Sequence, residues 1–219
     1  MNSFNAKRAG IAIYDLTAVI QKNKDYLSEV DGATGDGDHG VNMNKGFTMC
    51  RAQLEGVADK LGFAGALDLL GNILLSEIGG SMGPLYGSFF MEMADCVQGK
   101  EQINADDYLA MLKAGLSGIT SIVPTQLGDK TLLDVLIPAI DAYESALRCA
   151  EDSGSRFTDA LDAHKQAARA GREATKNMVA KVGRASRIGE RSRGHYDAGA
   201  TSCALILVSM ADSVLDLLE

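Results

Sequence analysis

Apolar residues recur every three or four positions along this chain, in blocks separated by glycine- and proline-containing segments. Ile13, Leu16, Ile20 and Leu27 share one helical face and predict a single long first helix that ends at an acidic loop. A second helix is predicted from Val41 or Asn42 to about Gly56. Leu67, Leu70, Leu74 and Ile78 mark a third, closed by Gly79-Gly80. Pro84 stands where a proline can open a helix, predicting a fourth over Leu85 to Val97. Asn104 is a candidate N-cap for a fifth, carrying Leu109, Leu112, Leu116 and Ile119. The sixth carries Leu133, Leu136, Ile140, Tyr143 and Leu147, with Pro138 expected to kink it. Glu151 to Ser155 reads as a polar linker, and Thr158 as the cap of an Ala-rich seventh helix reaching about Lys181. Ala204, Val208, Ala211, Leu215 and Leu218 define the last. No stretch alternates with period two long enough for a convincing strand. The expectation is one all-α domain over residues 1–219, with about eight helices and no sheet.

The chemistry-bearing residues gather between these helices. The first such loop, DGATGDGDHGVNMN, puts Asp31, Asp36 and Asp38 within eight residues. Crowded carboxylates repel unless a cation compensates them. Oxygen ligands on a tight loop suit a hard ion such as Mg²⁺ or Ca²⁺. Residues alone leave two readings open: a metal site, or a solvated acidic turn. Gly35, Gly37 and Gly40 satisfy G-x-G-x-x-G, but no strand precedes them, and the aspartates would repel a bare pyrophosphate. An EF-hand counted from Asp36 fails, because Gly40 and Phe47 occupy ligand positions. An acidic metal loop opening a helix survives, and a helix N-terminus offers free N–H groups to an anion.

Gly79 to Gly83 is a second candidate phosphate turn, or simply a helix–helix turn. A third loop, GRASRIGERSRGHYDAGATS, holds Arg184, Arg187, Arg191 and Arg193 within ten residues. Arginine suits phosphate through its planar fork. A solvated basic loop is the alternative. Gly128-Asp129-Lys130-Thr131 resembles the end of a phosphate-binding P-loop but lacks its spacing and its strand. Two of the three histidines, His39 and His195, lie in the first and third loops; His164 is mid-helix with no assigned role.

Composition narrows the class. The 219 residues are 46% apolar and 23% charged, ordinary for a globular chain. A net charge of −8 argues against nucleic acid as a partner. The four cysteines are scattered without a C-x-x-C, as in reduced, cytoplasmic proteins. The N-terminus lacks the long apolar run of a signal peptide. Ala204 to Met210, the longest apolar stretch, is too short to span a membrane.

Four ordered segments, GDGDHGVNMNKGF, GGSMGPLYGSFF, GDKTLLDVLIPA and GRASRIGERSRGHYDAGATS, resemble the nucleotide-binding L subunit of dihydroxyacetone kinases, over nearly the whole chain. The resemblance implies an antiparallel barrel of eight helices with ADP or ATP and two Mg²⁺ at one end. Asp31, Asp36 and Asp38 then match the Mg²⁺ ligands. His39, Gly40, Val41 and Asn42, with Ser81 and Met82, match the phosphate-side contacts. Leu132 matches the apolar contact near the adenine, and Arg184, Asp197, Ala198 and Gly199 complete the nucleotide pocket. No residue of this chain is implied as catalytic. Members often carry Ser where this chain has Met82, and a basic, Gly-containing segment where it has Ile122 to Gln126.

The resemblance also implies a separate K subunit that holds the ketose covalently. The phosphoryl donor is either free ATP or a phosphotransferase-system protein that recharges bound ADP. Two other functions share the domain: a nucleotide-sensing regulator that docks on a transcription factor, and a fatty-acid kinase-like protein. Activity on mixing with a K subunit separates the kinase subunit from the regulator.

Overall fold

The computed structural model describes residues 3–150 and 155–219. The expected linker from Glu151 to Ser155 therefore lies outside the described residues except for Ser155. The fold is all-α: nine α-helices stand among the described residues, with one 3₁₀ segment and two three-residue strands. They are β1 (Ser3–Asn5), α1 (Gly10–Lys22), α2 (Lys24–Gly32), α3 (His39–Leu54), α4 (Ala58–Glu77), α5 (Met82–Val97), β2 (Gln102–Asn104), α6 (Ala105–Ile122), α7 (Leu133–Cys149), α8 (Arg156–Thr175) and α9 (Ala198–Leu217). The 3₁₀ segment, Ala185–Ser192, precedes α9.

The ninth helix arises because the predicted first helix is two. The chain leaves helical geometry at Asn23, whose side-chain amide donates to the Val19 carbonyl 2.8 Å away and so caps α1. Asn competes for backbone partners in this way, and α2 restarts at once, with Leu27 N–H donating to the Asn23 carbonyl. A mere apolar period cannot register such a break, because both halves keep their buried faces: Ile13, Leu16, Ile20 and Leu27 are all fully buried.

Other boundaries shift for equally local reasons. Asn104 does cap α6, through a reciprocal box with Asp107. Pro84 falls at the third helical position of α5, still inside the first turn where no N–H partner is needed. Pro138 sits inside α7 without any non-helical residue there. The cap of α8 falls at Ser155 rather than Thr158, and α8 stops at Thr175, well short of Lys181. Gly62 breaks α4 near its start with φ +68°, a backbone state open to glycine.

The expectation of no sheet is corrected by β1 and β2. They pair antiparallel with Phe4 opposite Ile103, and both side chains are buried. Three residues are too few for period two to show. Phe4 meets Phe63 edge-on at 5.3 Å between centroids, so the pair pins the N-terminus to α4.

Neighbour relations among the helices are cyclic: α1 packs on α4, then α4 on α5, α5 on α6, α6 on α7, α7 on α8, α8 on α9, and α9 on α1. The α2–α3 pair packs beside α1, α4 and α9. Helix α9 is long and apolar enough to cross a membrane by length and composition, with mean hydropathy 1.6. It is nonetheless 61% buried over that window, a central core helix with Ile206, Leu207, Met210 and Val214 inside.

Candidate functional site

Four helices begin at one cleft of about 380 Å³. Asp38, Ser81, Leu132 and Asp197 are the N-caps of α3, α5, α7 and α9, and all four line it. Each N-terminus carries unpaired N–H groups and the positive end of a helix dipole. Only α9 among the four is capped by its own side chain: the Asp197 carboxylate accepts from Ala200 N–H at 2.7 Å. At α3, α5 and α7 the N-cap side chain makes no capping bond, while His39 N–H lies 3.3 Å from the Asp31 carboxylate and Leu133 N–H 3.2 Å from Thr131 Oγ1. The arrangement favours an anion with several negative oxygens.

Against this positive ground stands the acidic triad. Carboxylate oxygens of Asp31, Asp36 and Asp38 lie within 4.8 Å of one another. Asp31 belongs to the last turn of α2, and its backbone carbonyl accepts from Thr34 N–H at 3.1 Å as the chain turns back. Asp38 could cap α3, yet its carboxylate makes no capping bond and stays with the cluster. Arg184 forms ion pairs with Asp36 and, at 3.9 Å, with Asp38. The third loop thereby reaches the first.

Beneath the rim, a buried hydrogen-bond chain ties three of the helices together. His39 Nε2 lies 2.9 Å from Ser202 Oγ, which lies 2.7 Å from the Tyr86 hydroxyl. Tyr86 also donates to the Gly199 carbonyl at 3.2 Å. Burial depresses His39 to about 4, against the opposing pull of Asp31, so its ring is neutral at ordinary pH. Burial also raises Asp197 to about 6, opposed by the Ala200 N–H bond and by Lys130.

Most residues singled out from sequence meet here: Asp31, Asp36, Asp38, His39, Asn42, Ser81, Met82, Leu132, Arg184, Asp197, Ala198 and Gly199 all line the cleft. Gly40 and Val41 do not. Gly40 lies against α2, where a Cβ would stand 2.0 Å from the Lys24 carbonyl oxygen, so glycine lets α3 cross α2. Val41 is 52% exposed and forms no part of the wall. His195 also stays outside, contributing its backbone carbonyl rather than its ring. Sequence reading missed an apolar wall of Leu85, Tyr86, Ile119 and Leu133, together with Lys130. The apolar members are indistinguishable from core in a helical pattern. Lys130 sat in the motif set aside for lacking P-loop spacing.

A family profile described as the DAK2 domain matches residues 33–212. The chain is 36% identical over 199 residues to the protein named PEP-dependent dihydroxyacetone kinase 2, ADP-binding subunit DhaL, of Listeria innocua, covering 90% of each chain. It is 36% identical to the corresponding Escherichia coli subunit, covering 88% of this chain and 90% of that one. Its fold matches the crystal structure of the C. freundii dihydroxyacetone kinase in complex with AMP-PNP and Mg²⁺, with TM-score 0.67 and 26% identity over 97% of this chain. That match spans 35% of the larger kinase.

Proposed function

This chain belongs to the DAK2 domain family, and from that premise we propose that it is the ADP-binding subunit of a dihydroxyacetone-type kinase. On this reading residues 1–219 form one nucleotide-binding domain, working in the cytoplasm. A separate K-type subunit presents the ketose, and a phosphotransferase-system protein fed by phosphoenolpyruvate recharges the nucleotide. The relatives' names favour that donor over free ATP.

One observation carries the reading: an acidic triad and four helix N-termini face the same cleft. Phosphate oxygens between them would meet helix N–H groups on one side and carboxylate-held cations on the other. Opposite oxygens around one Mg²⁺ lie roughly 4 Å apart, so small rotations bring the triad onto an ion. Asp31, Asp36 and Asp38 are thus assigned to two Mg²⁺, which when bound supply neutralising charge for the transferred phosphoryl group. His39, Asn42, Ser81 and Met82 hold the phosphate side. The Met82 side chain offers no hydroxyl, but a helix N-terminus binds through its backbone. Leu132, with Ile119 and Val123, forms the apolar side for the base, and Arg184, Asp197, Ala198 and Gly199 close the pocket. This chain positions and screens; it supplies no nucleophile.

Native mass spectrometry of the purified chain tests the reading first, with co-purified ADP as the expected result. Mixing with a K-type subunit and the phosphoenolpyruvate-linked donor proteins should then phosphorylate dihydroxyacetone. A chain that takes up no nucleotide in the presence of Mg²⁺ would sink the proposal.

A further inference from the structure

Lys130 is 1% exposed, yet its ammonium touches no carboxylate among the described residues. Its three protons go to three backbone carbonyls: Met178 at 3.2 Å, Ser192 at 2.5 Å and His195 at 2.8 Å. An ammonium has three donors and no acceptor, so Lys130 is saturated by this one loop. The three carbonyls are spread along the connection between α8 and α9 and gather it around a single nitrogen. Lys130 itself is held in the left-handed region, with φ +63°, and it is the one non-glycine residue there among those described. Such a conformation persists only where the surroundings fix it. Here the Asp134 carboxylate does so, accepting from Gly128 N–H at 2.6 Å and Thr131 N–H at 2.7 Å.

We propose that Lys130 is a positioning residue of the nucleotide site, whose ammonium holds the α8–α9 connection in the shape that brings Arg184 and Asp197 to the cleft. The inference rests on the nucleotide-binding reading above. In sequence the residue looks like a P-loop lysine, but here it binds carbonyls of its own chain. Its charge has no carboxylate in contact among the described residues, and it lines the cleft, so it also adds to the positive field there.

Lys130→Met keeps the length of the side chain and removes the ammonium. Amide hydrogen exchange should accelerate at least tenfold across residues 178–196 and stay unchanged in α4 and α5. Mg·ADP affinity, by calorimetry, should fall at least tenfold. Binding of Mn²⁺ alone, by electron paramagnetic resonance, should not weaken, because the connection gives the triad no ligand and only sets the Arg184 guanidinium against Asp36 and Asp38. Unchanged exchange in 178–196 together with nucleotide affinity within twofold of wild type would overturn the proposal. If the wild-type chain itself binds no Mg·ADP, the nucleotide reading fails, while the exchange arm still judges the hold of Lys130 on the connection. Should Lys130→Met not fold, the wild-type ammonium decides: its ¹⁵Nζ–H signal should be sharp and slow to exchange. Exchange as fast as that of the exposed Lys60 would overturn the proposal.

Discussion

Segments 31–38 and 128–134 are both short, acidic and glycine-containing, and they use their aspartates in opposite ways. In 128–134 the carboxylates are engaged by the backbone. Asp134 accepts from Gly128 and Thr131 N–H, and Asp129 accepts from Gln126 N–H at 2.9 Å and from Lys181 at 3.1 Å. In 31–38 the only backbone donor to a carboxylate among the described contacts is His39 N–H, at 3.3 Å from Asp31. The triad otherwise keeps its lone pairs, apart from the pairing of Arg184 with Asp36 and Asp38. Composition therefore does not separate a structural loop from a binding loop. What separates them is whether the folded chain has already satisfied the charges.

The sharpest break of that contrast is Asp134→Ala. It removes two charge-assisted bonds at a residue 2% exposed and leaves two amides unpaired. The expected loss is about 3 kcal/mol of stability, seen as a lower urea midpoint at unchanged slope. Asp36→Asn should do the reverse. It leaves stability within about 0.5 kcal/mol, because its carboxylate supports no backbone, and weakens Mg·ADP binding by roughly 10- to 100-fold. A large stability loss at Asp36, or none at Asp134, would dissolve the distinction.

Ligand-linked stability follows from the same contrast. At about 100 times its dissociation constant, a ligand of the native state alone adds about 2.7 kcal/mol. Mg·ADP should raise the unfolding midpoint of the wild-type chain accordingly, and chelator should abolish most of the gain. Equal shifts with and without Mg²⁺ would detach the triad from the nucleotide.

Buried imidazoles extend the comparison to pH. His164 is fully buried, its Nδ1 3.0 Å from the Ala139 carbonyl, its Nε2 without a partner among the described residues, and burial lowers it to about 4. Its folded value lies below its unfolded one of 6.5, so the unfolded chain binds the extra proton. Stability is then complete above pH 6.5 and lost as pH falls toward 4. At pH 5 the expected loss from this residue is about 2 kcal/mol. His164→Asn should flatten the acid limb of stability against pH by that amount; an unchanged limb would mean His164 titrates normally.

Much of this was legible in the chain beforehand, for identifiable reasons. Helices such as α6 announce themselves because cap and period agree: Asn104, Asp107 and the buried Leu112 and Ile119 all point one way. The split at Asn23 was hidden because the apolar period continues across it. The β1–β2 pair was hidden because it is three residues long and joins positions about a hundred apart in sequence. The cleft-lining aspartates stood out as a cluster without local partners. Lys130 did not, since its partners lie about fifty to sixty-five residues away and are carbonyls, which no side-chain pattern records.

The smallest expected effects lie among the arginines of the α8–α9 connection, where the same criterion applies residue by residue. Sequence spacing alone makes Arg191 and Arg193 equal candidates for contact with a partner subunit. In the fold they differ. Arg193 pairs with Glu190 at 3.1 Å and donates to the Asn177 carbonyl at 2.5 Å, so it is already engaged in shaping the loop. Arg187 and Arg191 are exposed, and their side chains have no ion pair or hydrogen bond among the described contacts. Exposed ion pairs contribute on the order of 0.2–1 kcal/mol, so Arg193→Ala should cost less than about 1 kcal/mol of stability. It should leave the salt dependence of coupled activity unchanged. Arg191→Ala should leave stability alone and reduce phosphoryl transfer with the K-type subunit, most at low ionic strength, where an unscreened cation steers association. Identical salt profiles for the two variants would show that neither guanidinium meets the partner. Docking would then have to use other surface, such as the exposed Val41 and Leu127.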